Sequence, residues 1–583
     1  MRYQLRNPYN KSLSITEQVF MNRGLLLQDI YHFLHTDETD VIDPSTIARI
    51  RDGAQMLVEA LQKSKPTFIQ IDSDCDGYTS SALLINYLNR IAPHFVNKCI
   101  SYQVQGGKEH GIFLDRIPPN TKLVIAPDSS SNDYKEHQIL KEKGIDVLVI
   151  DHHEAEKVSE YACVINNQLC DYPTKSLSGV GMVYKFCSYI DKILGVNYAD
   201  DYLDLVAVGM VGDMMDMRDF ETKYLITAGL MNIRNPHIKA RCVNNEYSIG
   251  SELTPFGISF YVAPFINAIN RSGTYEEKML VFESMLEFKA YDQIPSTKRG
   301  CKGQMETRVE QAIRTSNNVK NRQDRSVEAD NATIEKLIVN QKALDNCILV
   351  VTIPPEQAID TNLTGLIANQ MANKYMRPTL IFNETIHNGI KYWEGSGRNF
   401  ANSPLTQFRQ FLLDTKLFEY AEGHESAFGA GIKQDKLKDF LMKSNNDLAH
   451  FDFSATYLVD FEFQFNDALN LRNAVLDIGG LKKHWGQGLE EPLILIKNIK
   501  VVKDNLTLYE KGPTLKITLP GDEGLELMKF RSSEDEYESL YTESGCVTIN
   551  VIGTCDINSW HGISKPQITI KDYEIIGKEA YYF

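Results

Sequence analysis

Pro66-Thr-Phe-Ile-Gln-Ile71, running into Asp72-Ser-Asp-Cys-Asp-Gly77, is the stretch on which the fold turns. Its first half is β-branched and aromatic, the composition of a short buried strand. Its second half alternates carboxylates and ends in a glycine, which allows a sharp change of direction. Ser80 to Leu88 then reads as a helix. The same order recurs downstream. Leu123-Val-Ile-Ala126 is a strand leading to Asp128, and Val147-Leu-Val-Ile150 is a strand leading to Asp151-His152-His153. Short buried strands alternating with helices predict an α/β domain with a mostly parallel sheet covered on both faces. The polar clusters follow the C-terminal ends of strands, where open α/β sheets place their ligands.

Outward from this core the pattern divides the chain into five parts. Residues 1–64 read as a helical segment, with Leu25, Leu26, Ile30 and Phe33 at helical spacing. Residues 65–273 are the α/β domain just described. Residues 274–345 are polar and helix-friendly and read as connecting helices; from Lys298 to Arg325 they carry eight basic residues against three acidic. Residues 346–457 repeat an α/β pattern on a smaller scale: Cys347-Ile-Leu-Val-Val351, a helical run from Leu366 to Met371, Thr379-Leu-Ile-Phe382, then Gly395-Ser-Gly-Arg398. Residues 458–583 show short strands with turn signals at Asp504-Asn505, Pro520-Gly521-Asp522 and Asn558-Ser559, the pattern of a small β-barrel.

Composition narrows the function. The 583 residues are 43% hydrophobic and 24% charged, ordinary for a globular protein, which excludes disordered, collagen-like and coiled-coil classes. A net charge of −16 excludes a generally basic nucleic-acid coat protein but leaves room for a local basic channel. No apolar run approaches the roughly 18 residues of a membrane span. Residues 1–18 lack the apolar core of a signal peptide. The ten cysteines, scattered from Cys75 to Cys555, form no Cys-x-x-Cys pair. Neither a disulfide framework nor a zinc ribbon is expected, and a reduced, cytoplasmic setting is.

The chemistry lies in four clusters. Alternate carboxylates at Asp72, Asp74 and Asp76 suit hard divalent cations. They do not begin an EF-hand loop, because Leu83 stands where its final Glu belongs. In Asp151-His152-His153 the adjacent imidazoles point in different directions, so one suits a metal and the other a substrate phosphate. Asp128 and Asp213, each alone, read as caps; their order after successive elements of one domain makes them candidates for the same site. Carboxylates mixed with imidazole favour manganese or magnesium over zinc. Two such ions about 3.5–4 Å apart activate water and stabilise both oxygens of a phosphodiester displacement.

In this order the motifs resemble those of the DHH phosphoesterase superfamily and, within it, the RecJ single-strand-specific exonucleases. They run Asp72-Ser-Asp-Cys-Asp-Gly77, Asp128, Asp151-His-His153, Asp213, then Ile266-Asn-Ala-Ile-Asn-Arg271, Gly395-Ser-Gly-Arg398 and Glu422-Gly-His-Glu-Ser-Ala-Phe-Gly429, spanning about residues 66 to 430. The strand-rich tail occupies the place of that family's OB-fold. The resemblance implies a catalytic DHH domain, a DHH-associated domain and two cations. Asp76, Asp128, His152 and Asp213 would hold one ion and Asp74 and Asp128 the other, with Asp72 and Asp151 orienting these ligands. His153 would contact the scissile phosphate. Asn267, Arg271, Ser396, Arg398 and His424 would grip phosphates from the opposite wall, where a guanidinium fork matches phosphate oxygens. The implied activity is 5′ to 3′ degradation of single-stranded DNA in repair, recombination or replication. A monomer would work on the strand, with single-strand-binding and helicase proteins as candidate associates and no membrane.

Three departures from the family pattern stand out. Ser129-Ser130 replaces the usual Asn-Gly after the second motif. Glu422 replaces the first glycine of the glycine-glycine-histidine motif. In Gln103-Val-Gln-Gly-Gly-Lys-Glu-His110, Lys108 is the cation available where an Arg often stands. The tail from Lys497 onward carries ten basic and fourteen acidic residues, so its DNA contact would rest on Trp560, Phe530 and Tyr509 as stacking groups. Two other readings accommodate the same motifs. One is a DHH phosphodiesterase on short oligonucleotides or cyclic dinucleotides, against which the long tail argues. The other is a non-catalytic replication scaffold, against which the intact acidic motifs argue.

Overall fold

Thr67–Ile71 (β1) is the buried strand its composition predicts. The computed structural model describes the chain apart from residues 107–108, 251, 302, 455, 467, 510–512, 520–524, 544, 561–562 and 581–583. With β2 (Ile100–Val104), β3 (Leu123–Pro127), β4 (Asp146–Asp151) and β5 (Cys163–Asn166), β1 forms an all-parallel sheet in the order β2-β1-β3-β4-β5. Every residue of β1 and β3 is buried, as strands covered on both faces require. The edge strand β2 has no counterpart in the sequence reading. Its Ser101 and Gln103 interrupt the apolar run, and four of its five residues are at least partly exposed.

Helix α1 (Cys75–Ile91) leaves β1 through Asp74, its N-cap, and packs against α2 (Gly179–Leu194) and α3 (Leu203–Gly212). Beyond α4 (Ala263–Ser272), the connecting segment is more than helices. It contains a helix over Tyr275–Ser284 and a two-stranded antiparallel ladder, Gln293–Pro295 with Met305–Thr307. It ends in α5 (Arg308–Asn340), whose 33 residues span about 50 Å at the usual helical rise. Helix α5 packs on α4, where Arg322 and Gln323 bond Ser272, and also on the next sheet, so one element joins the two α/β units.

That second sheet has the order β9-β10-β8-β7-β6, from β6 (Leu349–Ile353), β7 (Thr379–His387), β8 (Ile390–Arg398), β9 (Phe418–His424) and β10 (Ala427–Lys433). Only β6 and β7 run parallel. Helix α6 (Thr364–Tyr375) lies against β7 and β8. The tail forms a seven-stranded mixed sheet. Its centre is the hairpin Gly545–Trp560 with Ile563–Ala580, flanked by Leu493–Val501 and Glu526–Phe530. Among the described residues no helix is long and apolar enough to cross a membrane.

The N-terminal segment is not purely helical. Tyr3–Leu5 pairs in parallel with Tyr457–Val459, a register no local signal announces. Nearby, the fully buried Arg23 and Asp460 form an ion pair at 2.8 Å, and Arg23 lies over the Trp485 ring. Asp460→Ala would strand a buried guanidinium. It is expected to cost about 3–5 kcal/mol, read as a lowered chemical-denaturation midpoint.

Candidate active site

The acidic residues meet at the C-terminal edge of the parallel sheet, each held by its local backbone. Asp74 caps α1, accepting a hydrogen bond from the Gly77 amide at 2.8 Å. A Cβ on Gly77 would stand 2.7 Å from the Asp72 carbonyl oxygen, so glycine is what lets the helix start so close to the strand. Asp76, in the first turn and 1% exposed, is gripped by the start of α2. It accepts from Ser178 Oγ at 2.9 Å, Gly179 N at 2.6 Å and Val180 N at 3.1 Å. These amides are free because they begin a helix, whose dipole also favours the carboxylate.

Asp128 sits just beyond β3 with φ +63°, its amide donating to the Ile150 carbonyl at 2.8 Å. Ser130 also lies in the left-handed region, at φ +82°, in place of the family's glycine. The turn therefore keeps a glycine-like course on a serine, a conformation costing roughly 1 kcal/mol for a residue with a Cβ. Ser130→Gly is expected to raise the stability of the metal-free protein by up to about 1 kcal/mol, measured by thermal melting. Asp213 follows helix α3, not a strand, as its C-cap.

His152 Nε2 is 3.3 Å from Asp128 Oδ1, 3.3 Å from Asp213 Oδ2 and 3.9 Å from Asp76 Oδ2. Both His152 Nε2 and Asp128 Oδ1 are buried without a hydrogen-bond partner. Buried polar atoms are rarely left so, and a lone pair facing three carboxylates fits a cation. Single ligand atoms from Asp76, His152 and Asp213 lie within 4.8 Å of one another. So do those of Asp128, His152 and His153, and those of Asp72, Asp74 and Asp128. Two adjoining cation sites sharing Asp128 fit this set. Asp72, expected only to orient ligands, stands close enough to be one itself.

The electrostatics agree. Burial, then the charges of neighbouring carboxylates, push Asp128 and Asp213 well above the usual carboxylate range. The same causes push Asp74 up to about 6, although it still touches solvent. Burial and the neighbouring His153 lower His152 to about 4, so its imidazole is neutral and can donate a lone pair. Burial would also lower His153, but Asp151, bonded to its Nδ1 at 2.8 Å, overrides this and pushes it up to about 10. Asp151 also accepts from the His152 and Ser131 amides.

The second α/β unit supplies the facing wall. Arg398, at the end of β8, bonds the carbonyls of Gly397 and Phe428 through Nη1. Ser396 Oγ is 2.8 Å from Thr364 Oγ1 at the start of α6, and a Cβ on Gly365 would stand 2.5 Å from Arg398 Nη2. Burial and the nearby Arg271 lower Arg398 to about 10. Neither arginine forms an ion pair among the described residues, and two guanidiniums whose charges act on one another, one of them beside a helix N-terminus, suit a phosphate. His424 is close enough for its charge to act on His152. Glu422 acts instead on Tyr420. Asn267 has a second role beside the expected one: its Oδ1 accepts from the Cys75 amide at 3.1 Å and anchors the first motif.

Other expectations fare differently. The basic stretch of α5 is largely neutralised, by Arg308–Glu283, Arg314–Glu306, Lys320–Asp324 and Arg322–Glu277 pairs. Lys108 and the Trp560 side chain lie outside the described residues. Phe530 lines a groove of about 840 Å³ that runs from Asn267 and Met214 to Lys571. The sequence reading missed the Ser178-Gly179 cradle, although a Ser-Gly pair opening a helix is a readable signal. It also passed over His110, which bonds Asp72 at 3.0 Å with its ring 5.0 Å from that of His153.

A parallel sheet presenting carboxylates and imidazoles at its strand ends, faced by a second α/β unit, is the arrangement of DHH phosphoesterases. A family model described as the N-terminal domain of the DHH family matches residues 66–210, and one for the RecJ OB domain matches residues 471–572. YorK of the SPbeta prophage of Bacillus subtilis (strain 168), provisionally named a single-strand DNA-specific exonuclease, is 36% identical over 99% of this chain and 98% of its own length. The single-stranded-DNA-specific exonuclease RecJ of the same organism is 24% identical over 98% of this chain and 70% of its own. The crystal structure of Thermus thermophilus RecJ in complex with Mn²⁺ superposes with a TM-score of 0.71 at 18% identity, covering 98% of this chain and 79% of that one. The chain belongs to the RecJ family of DHH proteins, and its tail is the family's OB domain.

Proposed function

We propose that the protein is a metal-dependent exonuclease that degrades single-stranded DNA from the 5′ end, using two Mn²⁺ or Mg²⁺ ions. The observation that carries this reading is the buried, unpartnered pair His152 Nε2 and Asp128 Oδ1 among the carboxylates of Asp76 and Asp213. The names of the relatives support the substrate. RecJ structures holding Mn²⁺ and Mg²⁺ support the cofactor.

Asp76, Asp128, His152 and Asp213 would hold one ion and Asp74 and Asp128, with Asp72 beside them, the other. Bound there, the pair would activate water and neutralise charge on the phosphodiester oxygens. The chain's own residues do the rest. Three hydrogen bonds from the start of α2 fix Asp76, so it need not reorganise. His153, cationic through Asp151, faces a non-bridging phosphate oxygen. Arg271, Ser396 and Arg398 hold a terminal phosphate, which favours an end over an internal bond, and His424 closes the wall. The groove toward Phe530 and Lys571 gives an unpaired strand a path to the OB domain.

The test uses end-labelled single strands with and without a 5′-phosphate, a duplex and a dinucleotide, in Mn²⁺ and in Mg²⁺. Progressive release from the 5′ end of the long single strand, with the duplex spared, is expected. A preference for the dinucleotide would overturn the reading in favour of a short-oligonucleotide phosphodiesterase.

A further inference from the structure

Past Asp213 the chain runs straight into the OB-side segment. Asp213 ends α3, and Met214 follows at φ +57°. The backbone amide of Met217 then donates to the Gln487 carbonyl at 2.9 Å. Gln487 sits in a tight turn closed on itself by two bonds, Gly486 N to Leu489 O and Leu489 N to Gly486 O, both 3.0 Å. The fit is close at the two glycines of the turn. A Cβ on Gly486 would stand 2.3 Å from Met217 Sδ, and one on Gly488 2.1 Å from Asp216 Oδ1. Met217, Trp485 and Leu489 are all buried at this seam. Strand Leu493–Val501 of the OB sheet begins just beyond the turn, and Arg23 fixes its far side by bonding the Glu490 carbonyl.

We propose that the Gly486–Leu489 turn is a positioning element for the metal centre: seated on Asp216–Arg218, it sets where Asp213 stands, so the OB domain helps to build the catalytic site from which it is remote in sequence. The physical case is leverage. Only three residues separate Asp213 from Met217, whose amide and side chain are both held by the turn. The left-handed Met214 between them leaves little slack, since a strained residue persists only where its surroundings dictate it. Moving the turn by the width of a methyl group therefore moves a carboxylate that faces His152 at 3.3 Å. Partners that orient metal ligands typically alter metal affinity about 10- to 100-fold when changed. By linkage, a strand that shifted the OB sheet and a cation bound beside Asp213 would alter each other's affinity by the same factor.

This inference rests on the proposed role of Asp213 as a ligand. The test is calorimetric titration of Mn²⁺ alone into the full-length, substrate-free protein. Gly486→Ala is expected to weaken Mn²⁺ binding about 10-fold or more, and the double variant Gly486→Ala/Met217→Ala to recover it, because the second change makes room for the added methyl. Asp216→Ala, a partly exposed change that leaves the core intact, is expected to shift affinity in the same direction and covers the case in which Gly486→Ala does not fold. Gly577→Ala, where a Cβ meets nothing within 4 Å, is the control and should bind as wild type does. Wild-type affinity in both Gly486→Ala and Asp216→Ala would overturn the positioning role while leaving the metal site standing. Absence of Mn²⁺ binding in the unmodified protein would overturn the metal site itself, and this inference with it.

Discussion

Asp76→Ala abolishes Mn²⁺-dependent release of nucleotides from a single strand: the rate is expected to fall by more than about 10³-fold, or roughly 4 kcal/mol of transition-state stabilisation. The expectation follows from where the carboxylate stands. Asp76 is 1% exposed, fixed by three hydrogen bonds and 3.9 Å from His152 Nε2, so no neighbouring group can swing in to replace it. The same change should leave the metal-free protein folded. Asp76 is among the charges that push Asp74, Asp128 and Asp213 upward, so removing it relieves repulsion even as it orphans the amides of α2. The informative pair of measurements is therefore rate and melting temperature. Wild-type protein should melt higher with Mn²⁺ than without, as any ligand that binds only the native state requires, and Asp76→Ala should lose that increment. Asp213→Ala should behave likewise. Wild-type-like cleavage by both variants would remove the mechanism.

Gly179→Ala is the second large effect, and it involves no charged residue. A Cβ at Gly179 would stand 2.3 Å from Asp128 Oδ1 and 2.5 Å from its Cγ, well inside contact distance. Helix propensity favours alanine over glycine by about 1 kcal/mol, so α2 itself should not suffer. Asp128 must move instead, and it is the carboxylate common to both proposed cation sites. A displacement of about 1 Å at a reacting centre can cost 10²-fold, and a loss of that order in kcat is expected with little change in melting temperature. A Gly179→Ala protein with unaltered kcat and Mn²⁺ affinity would show that Asp128 does not bridge.

The strands β1, β3 and β4 were legible because a buried parallel strand is a short apolar run, and each here ends in a residue with obvious chemistry. The edge strand β2 was not, since one exposed edge permits the polar alternation of Ser101 and Gln103. The start of α1 was placed several residues late, because Asp74 and Asp76 look like loop residues until one sees that the first caps the helix and the second points into it. Asp213, which alone reads only as a cap, was found by its order among the motifs, and it is indeed the C-cap of α3. The tie between Tyr3–Leu5 and Tyr457–Val459 left no local trace, because strand pairing is a relation between segments and not a property of either.

Residue type and order along the chain were enough to determine a parallel α/β core, a divalent-cation chemistry of carboxylate and imidazole, and membership of a nuclease family. Only the tertiary structure decided which atoms meet. It brought Asp72 within reach of Asp74 and Asp128, bonded Asn267 to the backbone of Cys75, set Arg271 near enough for its charge to act on Arg398, neutralised most of the basic helix, and seated an OB-side turn on the loop after Asp213. The physical reason is that local propensity acts over a few residues. Distances between remote side chains are set by how apolar faces are buried and by which polar groups must then find partners.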